Sequence, residues 1–186
     1  MVMTESTMPE LGSQAPDFSL PDPLAGTTVS RADFSGQALL VMFVCNHCPS
    51  VRNIEQAIGR LSGDLAEDGP AIVAICSNDI ETHPADGPEG MADQARRAGW
   101  GFPYLLDESQ QVARAYGAAC TPDFFLYDAD HGLYYRGRFD ASRPGDGSTP
   151  DGADLVAAID ALRSGEPAPS TQLPSLGCNI KWRPQA

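Results

Sequence analysis

The sequence predicts a three-layer α/β domain. Residues 38–44 and 71–76 are unbroken apolar runs with β-branched members, which suits strands buried on both faces. Between them Val51, Ile54, Ile58, Leu61 and Leu65 recur at helical spacing. Further on, residues 122–127 and 133–139 flank an Asp128-Ala-Asp-His-Gly132 turn, a β-hairpin signal. Leading strands that alternate with helices, followed by a hairpin, make a layered α/β arrangement.

In chain order, residues 1–14 are polar and are expected to be loose. Pro16 and Pro21 push residues 15–22 into extended geometry, a turn follows at Asp22, and residues 27–30 form a short return strand. The strand over 38–44 leads into Cys45-Asn46-His47-Cys48-Pro49. The helix after it starts with Pro49 near its first turn and runs to about Leu65, before Asp68-Gly69-Pro70 stops the chain. After the strand over 71–76, a loop over 77–87 precedes a helix around 89–98. Residues 102–106 are extended, and Asp107 caps a short helix to about Tyr116. Beyond the hairpin come a long loop over 142–150, a last helix over 153–162 and a Pro-rich tail. The expected division is a loose segment over 1–14, the domain over 15–163 and a tail over 164–186 packed on it.

The 186 residues carry 12 Lys and Arg against 25 Asp and Glu, a net charge of −13. That balance disfavours nucleic acid and anionic membrane surfaces as partners. With 42% apolar residues the chain is globular. Its first ten residues lack the basic and apolar regions of a signal peptide, and no run approaches the roughly 18 apolar residues of a membrane span. The expected location is the cytoplasm, where thiols stay reduced. Five cysteines, an odd number, do not read as a disulfide framework.

The chemistry centres on Cys45 and Cys48. Two cysteines three apart at a helix start can close a small disulfide ring, and the helix N-terminus favours thiolate over thiol. A protonated His47 between them would lower the thiol pKa further. Zinc uses the same spacing, but a structural site wants a second ligand pair, which the sequence lacks. Covalent haem attachment needs His where Pro49 stands. The primary reading is dithiol redox chemistry with no cofactor and no metal. Two alternatives stay open: a thiol peroxidase, and a non-enzymatic carrier of thiols or of a soft ion such as Cu(I).

Ala15-Pro-Asp-Phe-Ser-Leu20, Cys45-Asn-His-Cys-Pro49 and Cys120-Thr-Pro-Asp-Phe-Phe-Leu126 resemble the thioredoxin-like redoxins. More closely, they resemble the peroxiredoxin-like branch of the alkyl hydroperoxide reductase/thiol-specific antioxidant family. The resemblance implies a thioredoxin fold with a mixed central sheet, an N-terminal β extension and a C-terminal tail. It also implies that Pro122 is a cis-proline facing the cysteine pair, with Thr121 offering backbone groups to a bound thiol. On the thioredoxin pattern Cys45 attacks and Cys48 resolves; on the peroxiredoxin pattern Cys48, followed by Pro49, is the reactive thiol. Val41 replaces the peroxiredoxin proline and Leu39 the thioredoxin buried acid, so which cysteine attacks stays open.

A peroxidase would need a cation at the thiolate. Arg136, Arg138 and Arg143 are candidates, Arg138 foremost, although each alone reads as balancing an acidic surface. Glu55, His83 and His131 are expected to be solvated. Cys76 reads as a core thiol. Cys120 is either a supporting thiol near the pair or a core residue, and Cys178 either a mobile resolving thiol or part of a tail anchored by Ile180 and Trp182. The expected partners are protein or small-molecule disulfides, hydroperoxides on the peroxidase alternative, and a thiol reductant.

Overall fold

The computed structural model describes residues 3–65 and 67–184. Its centre is a mixed five-stranded sheet in the order β6-β5-β4-β8-β9, formed by β4 (Leu39–Phe43), β5 (Ala71–Cys76), β6 (Tyr104–Leu106), β8 (Asp123–Tyr127) and β9 (Leu133–Gly137). β4, β5 and β6 run parallel, because helical crossovers join them, while β8 and β9 run antiparallel as the hairpin requires. A separate hairpin of β2 (Ser19–Asp22) and β3 (Thr27–Ser30) precedes the sheet.

Alternate residues of the central strands feed two cores. Leu40, Met42, Phe124 and Leu126 pack with Val51, Ile54 and Ile58 of α1 (Pro49–Asp64), Met91 and Ala95 of α2 (Pro88–Ala98), and Leu155 and Ile159 of α4 (Ala153–Arg163). Leu39, Val41, Phe43 and Phe125 face the other way, onto Val112 and Tyr116 of α3 (Gln111–Tyr116) and onto Ala15, Phe18 and Leu20. Each buried side chain of this size contributes about 1.5–3 kcal/mol over its exposed state.

Two expectations need correction. The polar N-terminal segment is not loose: β1 (Met3–Glu5) pairs with β10 (Leu176–Asn179), and Ser6 N–H donates to the Ser175 carbonyl at 3.0 Å. Strand edges recruit backbone groups whatever the side chains, so polarity gave no sign of it. The tail packs on the domain as expected, with Ile180 and Trp182 against the core. β10 joins the two-residue β7 (Cys120–Thr121), so both chain ends are built into one three-stranded sheet, with Met1, Val2, Gln185 and Ala186 outside the described residues. Asp107 is not the N-cap residue of α3, a place taken by Gln110 at φ 62°, yet its Oδ2 accepts the Ala113 N–H at 2.9 Å and so still serves the first turn.

His131 is buried rather than solvated. It sits at φ 60° in the hairpin turn, with Nδ1 2.8 Å from Arg31 Nη1 and Nε2 3.2 Å from the Phe34 carbonyl. Both partners lie about a hundred residues away, beyond the reach of local pattern.

Candidate active site

β4 ends in the core, and Val44 and Cys45 continue its line until the chain turns into α1. Cys48 occupies the N-cap position and Pro49 the first helical position, where a missing N–H costs nothing. The Thr121–Pro122 bond is cis and brings the β7–β8 corner against this turn, as the resemblance implied. Thr121 Oγ1 lies 3.4 Å from Cys45 Sγ, and the Thr121 carbonyl oxygen lies 3.3 Å from Cys48 Sγ. Both cysteines are fully buried.

The two thiols differ sharply. Cys48 is pulled down to about 4, first by a hydrogen bond from Cys45, with burial opposing and Cys178, the Val51 N–H and Thr121 adding further donors. Cys45 is held well above the ordinary thiol range, first by that same bond to Cys48, then by burial and by the charge of Asp86. The acidic sulfur is therefore at the helix N-terminus itself, where unsatisfied N–H groups and the helix dipole favour an anion.

Asp86, which pattern reasoning missed, shapes the loop. It lies fully buried in the 3-10 turn Pro84–Asp86. Its Oδ1 accepts the backbone N–H groups of Asn46 and His47, both at 2.9 Å, and its Oδ2 takes His47 Nδ1 at 2.5 Å and Asn78 Nδ2 at 2.9 Å. His47 Nδ1 is 3.8 Å from Cys45 Sγ, so the ring beside the thiol is committed to the carboxylate. A Cβ on Gly90 would lie 1.9 Å from the Ala85 carbonyl oxygen, so glycine there is what lets this turn sit on α2. The only sequence signal was a Pro- and Gly-flanked Asp in a loop.

Cys45, His47 and Asp86 place donor atoms within 4.8 Å of one another. Tetrahedral zinc holds nitrogen and oxygen ligands at roughly 2.0–2.2 Å, which spaces them more than about 3 Å apart. The 2.5 Å between Nδ1 and Oδ2 is shorter than that, and both Asp86 oxygens already accept two N–H groups.

Glu55 also departs from expectation. Glu55 is 4% exposed and pairs with Arg97 of α2, Nε to Oε1 at 2.7 Å. Arg97 also donates to Asn46 Oδ1 at 2.9 Å, while Gln94 Nε2 donates to the Cys45 carbonyl at 3.2 Å. Together they tie α2 to the cysteine loop. A helix from forty residues away supplies the countercharge, which the face pattern of α1 could not reveal. His83 stacks on His47 with ring centroids 5.0 Å apart.

Of the remaining candidates, Arg138 lines a cleft with Ser50, Pro122 and Leu176, but its Nε is bound to Asp154 Oδ2 at 2.6 Å. Cys120 is buried with its thiol toward the Pro122 carbonyl at 3.7 Å, and burial pushes it up, as a core thiol requires. Cys76, pushed up to about 12 chiefly by burial, donates to the Asp86 carbonyl at 3.6 Å. Cys178 has a different place: its Sγ lies 2.8 Å from Cys48 Sγ.

A cysteine pair at a helix start, faced by a cis-proline corner on a mixed sheet, defines a thioredoxin-fold oxidoreductase. The chain belongs to the AhpC/TSA family, which it matches over residues 11–136. A thiol-disulfide oxidoreductase ResA of Geobacillus thermodenitrificans is 30% identical over 125 residues, 67% of each chain. A Mycobacterium tuberculosis protein provisionally named a peroxiredoxin is 32% identical over 117 residues, 62% of this chain and 69% of its own. Among solved structures, an uncharacterized conserved protein from Geobacillus kaustophilus superposes with a TM-score of 0.96 at 48% identity, covering 100% of this chain and 99% of that one. The thioredoxin domain of a Bacteroides vulgatus thiol-disulfide oxidoreductase shares the fold, with a TM-score of 0.62 at 18% identity over 82% of this chain and 99% of its own.

Proposed function

We propose that the chain is a thiol–disulfide oxidoreductase in which Cys48 is the attacking thiolate and Cys45 a resolving partner. The observation that carries this is the acidic Cys48 sulfur at the N-cap of α1, within reach of Cys45 and of the cis-Pro122 corner. Cys48 attacks a substrate disulfide, a mixed disulfide forms and one thiolate leaves. Cys45 then attacks Cys48 Sγ, releases the second thiol and closes the internal disulfide, which an external thiol reductant reopens. Thr121 sits against both sulfurs and holds them in register, and the cleft beside Pro122 is the approach for substrate. The named function of the ResA relative agrees with this chemistry. We propose the cytoplasm as the location, because an odd count of five cysteines does not read as a disulfide framework of the kind an oxidising compartment favours.

The test is thiol-driven reduction of a small disulfide by purified protein. Cys48→Ala should abolish turnover; an unchanged rate would sink the assignment.

Thiol peroxidase is the second reading, favoured by one observation: the acidic thiol is the second cysteine, followed by Pro49, which the resemblance matches to the peroxidatic position. Antioxidant activity would then follow, with sulfenic acid formed on Cys48 and condensed with a neighbouring thiol. Against it, Arg138, the foremost candidate cation, is engaged by Asp154. Rapid mixing of reduced protein with hydrogen peroxide separates the readings: the oxidoreductase reading expects Cys48 to react no faster than an ordinary thiolate.

A further inference from the structure

Cys178 is delivered to the active site by strand pairing. β10 runs antiparallel to β7 with Cys178 opposite Thr121, the residue that touches both members of the pair. The close approach needs Gly177, because a Cβ there would lie 2.1 Å from the Thr121 carbonyl oxygen. Both flanks are anchored. Before the strand, Ser175 N–H donates to Ser6 Oγ at 2.9 Å and Ser175 Oγ donates to the Gly137 carbonyl at 2.7 Å. After it, Lys181 N–H donates to Asn78 Oδ1 at 2.8 Å, and the Lys181 carbonyl accepts the Asp79 N–H at 2.9 Å. Arg183 then pairs with Asp79 at 3.1 Å. The tail is thus a fastened strap, and the thiol it carries is held in place.

We propose that Cys178 is a third redox thiol of the site, closing a disulfide with Cys48 and so resolving a Cys48 mixed disulfide without Cys45. The proposal rests on the dithiol reading above. From 2.8 Å, the sulfurs need approach by only about 0.8 Å to reach the disulfide length of about 2.05 Å. In the reaction, Cys48 has already displaced one thiolate from the substrate disulfide. Cys178 loses its proton, its sulfur attacks Cys48 Sγ, the bond to the substrate sulfur breaks, and the second substrate thiolate leaves with that proton. Cys45 can next displace Cys178 from Cys48 by exchange, with no net oxidation. A dithiol reductant finally takes the oxidising equivalents and becomes a disulfide itself.

The resting state holds this step back. The Cys178 thiol is pushed up to about 12, first by burial and then by its hydrogen bond to Cys48, with Lys181 opposing. Once the Cys48 sulfur is bonded to substrate, that acceptor charge is gone and Cys178 ionises more readily. The strap also fills the edge of β7, and β1 covers its far side. An extended polypeptide cannot add a strand there, so Cys178 takes the place beside Cys48 that a docked strand's cysteine would occupy.

The experiment uses the full chain carrying Cys45→Ser, reduced, treated with diamide under native conditions, alkylated and mapped by mass spectrometry. A peptide linking Cys48 to Cys178 is expected. With a small disulfide and no external reductant, C45S should release both substrate thiols, one equivalent of each, while C45S/C178S releases one and stalls as a mixed disulfide on Cys48. Mapping of partly oxidised wild-type protein, which needs no variant, should show Cys45–Cys48 and Cys48–Cys178 links together. If C45S stalls on Cys48 with Cys178 still alkylatable, or wild type yields the Cys45–Cys48 link alone, the third thiol is overturned. Cys48→Ala measured alongside separates the two ideas: its normal turnover would remove the dithiol reading itself.

Discussion

His47 Nδ1 lies 2.5 Å from Asp86 Oδ2, and the same carboxylate caps two backbone N–H groups of the cysteine loop. The loop between β4 and α1 is therefore shaped by a group thirty-eight or more residues downstream, on the 3-10 turn before α2. A charged acceptor with four donors is a strong fixture in a buried setting. It also sets the electrostatics: Asp86 raises Cys45 and Cys76, while the donors around Cys48 lower that thiol.

Asp86→Asn should loosen the loop and make both neighbouring thiols more acidic. The amide presents a donor to His47 and Asn78 where an acceptor stood. Urea unfolding should show a loss of about 1.5–3 kcal/mol, the usual worth of a hydrogen bond to a charged group. Ultraviolet thiolate titration should show Cys45 and Cys76 ionising at lower pH than in wild type. Unchanged titration would mean Asp86 acts on shape alone.

Ultraviolet titration of reduced protein should show one thiolate, that of Cys48, persisting through neutral pH and lost only as the pH drops through about 4. Cys45→Ala removes the largest of the donors to that thiolate, so the Cys48 inflection should move upward. An inflection at the same pH in the variant would assign the acidity to the helix end instead.

Asp123 should make the protein more stable in acid than at neutral pH. Its carboxyl is buried, Oδ1 accepts Ser6 Oγ at 2.7 Å, Oδ2 has no partner among the described residues, and burial raises it to about 7 from 3.8. Between those values the folded state holds a proton the unfolded state has lost. This group's contribution is therefore full below about 4 and fades as pH rises through about 7. Asp123→Asn should flatten the urea midpoint over that window and raise it at pH 8 relative to wild type. A steeper profile in the variant would contradict the assignment.

Gly177→Ala should displace β10 from the cis-proline corner. Its Cβ meets the Thr121 carbonyl, and overpacking of this kind costs about 1–3 kcal/mol. Thermal unfolding should shift downward, and Cys178 should become alkylatable in the native state. A variant as stable as wild type with Cys178 still protected would show that the strap can shift without strain.

Much of the frame was legible in the sequence because it depends on local pattern. The apolar run before Cys45 became β4, residues 71–76 became β5 without adjustment, and the spacing from Val51 to Ile58 became the buried face of α1. Pro49 marked the helix start, and the family resemblance pointed to Pro122 as the cis corner. β1 and β10 escaped because edge pairing is a backbone property with no side-chain period. Glu55 and His131 looked solvated because each charge or ring partner lies far off in the chain.

By itself, then, the sequence determined an α/β layering and a Cys45–Cys48 pair at a helix start, while the family resemblance supplied the proline corner that faces the pair. These follow from hydrophobic period, chain stiffness and helix-end chemistry, all set within a few residues. The tertiary structure decided which sulfur gathers the surrounding donors, which carboxylate holds the loop and where the fifth cysteine lies. Those depend on desolvation and on donors from Asp86, Thr121 and Cys178, and only the folded chain brings such groups within bonding distance of Cys45 and Cys48.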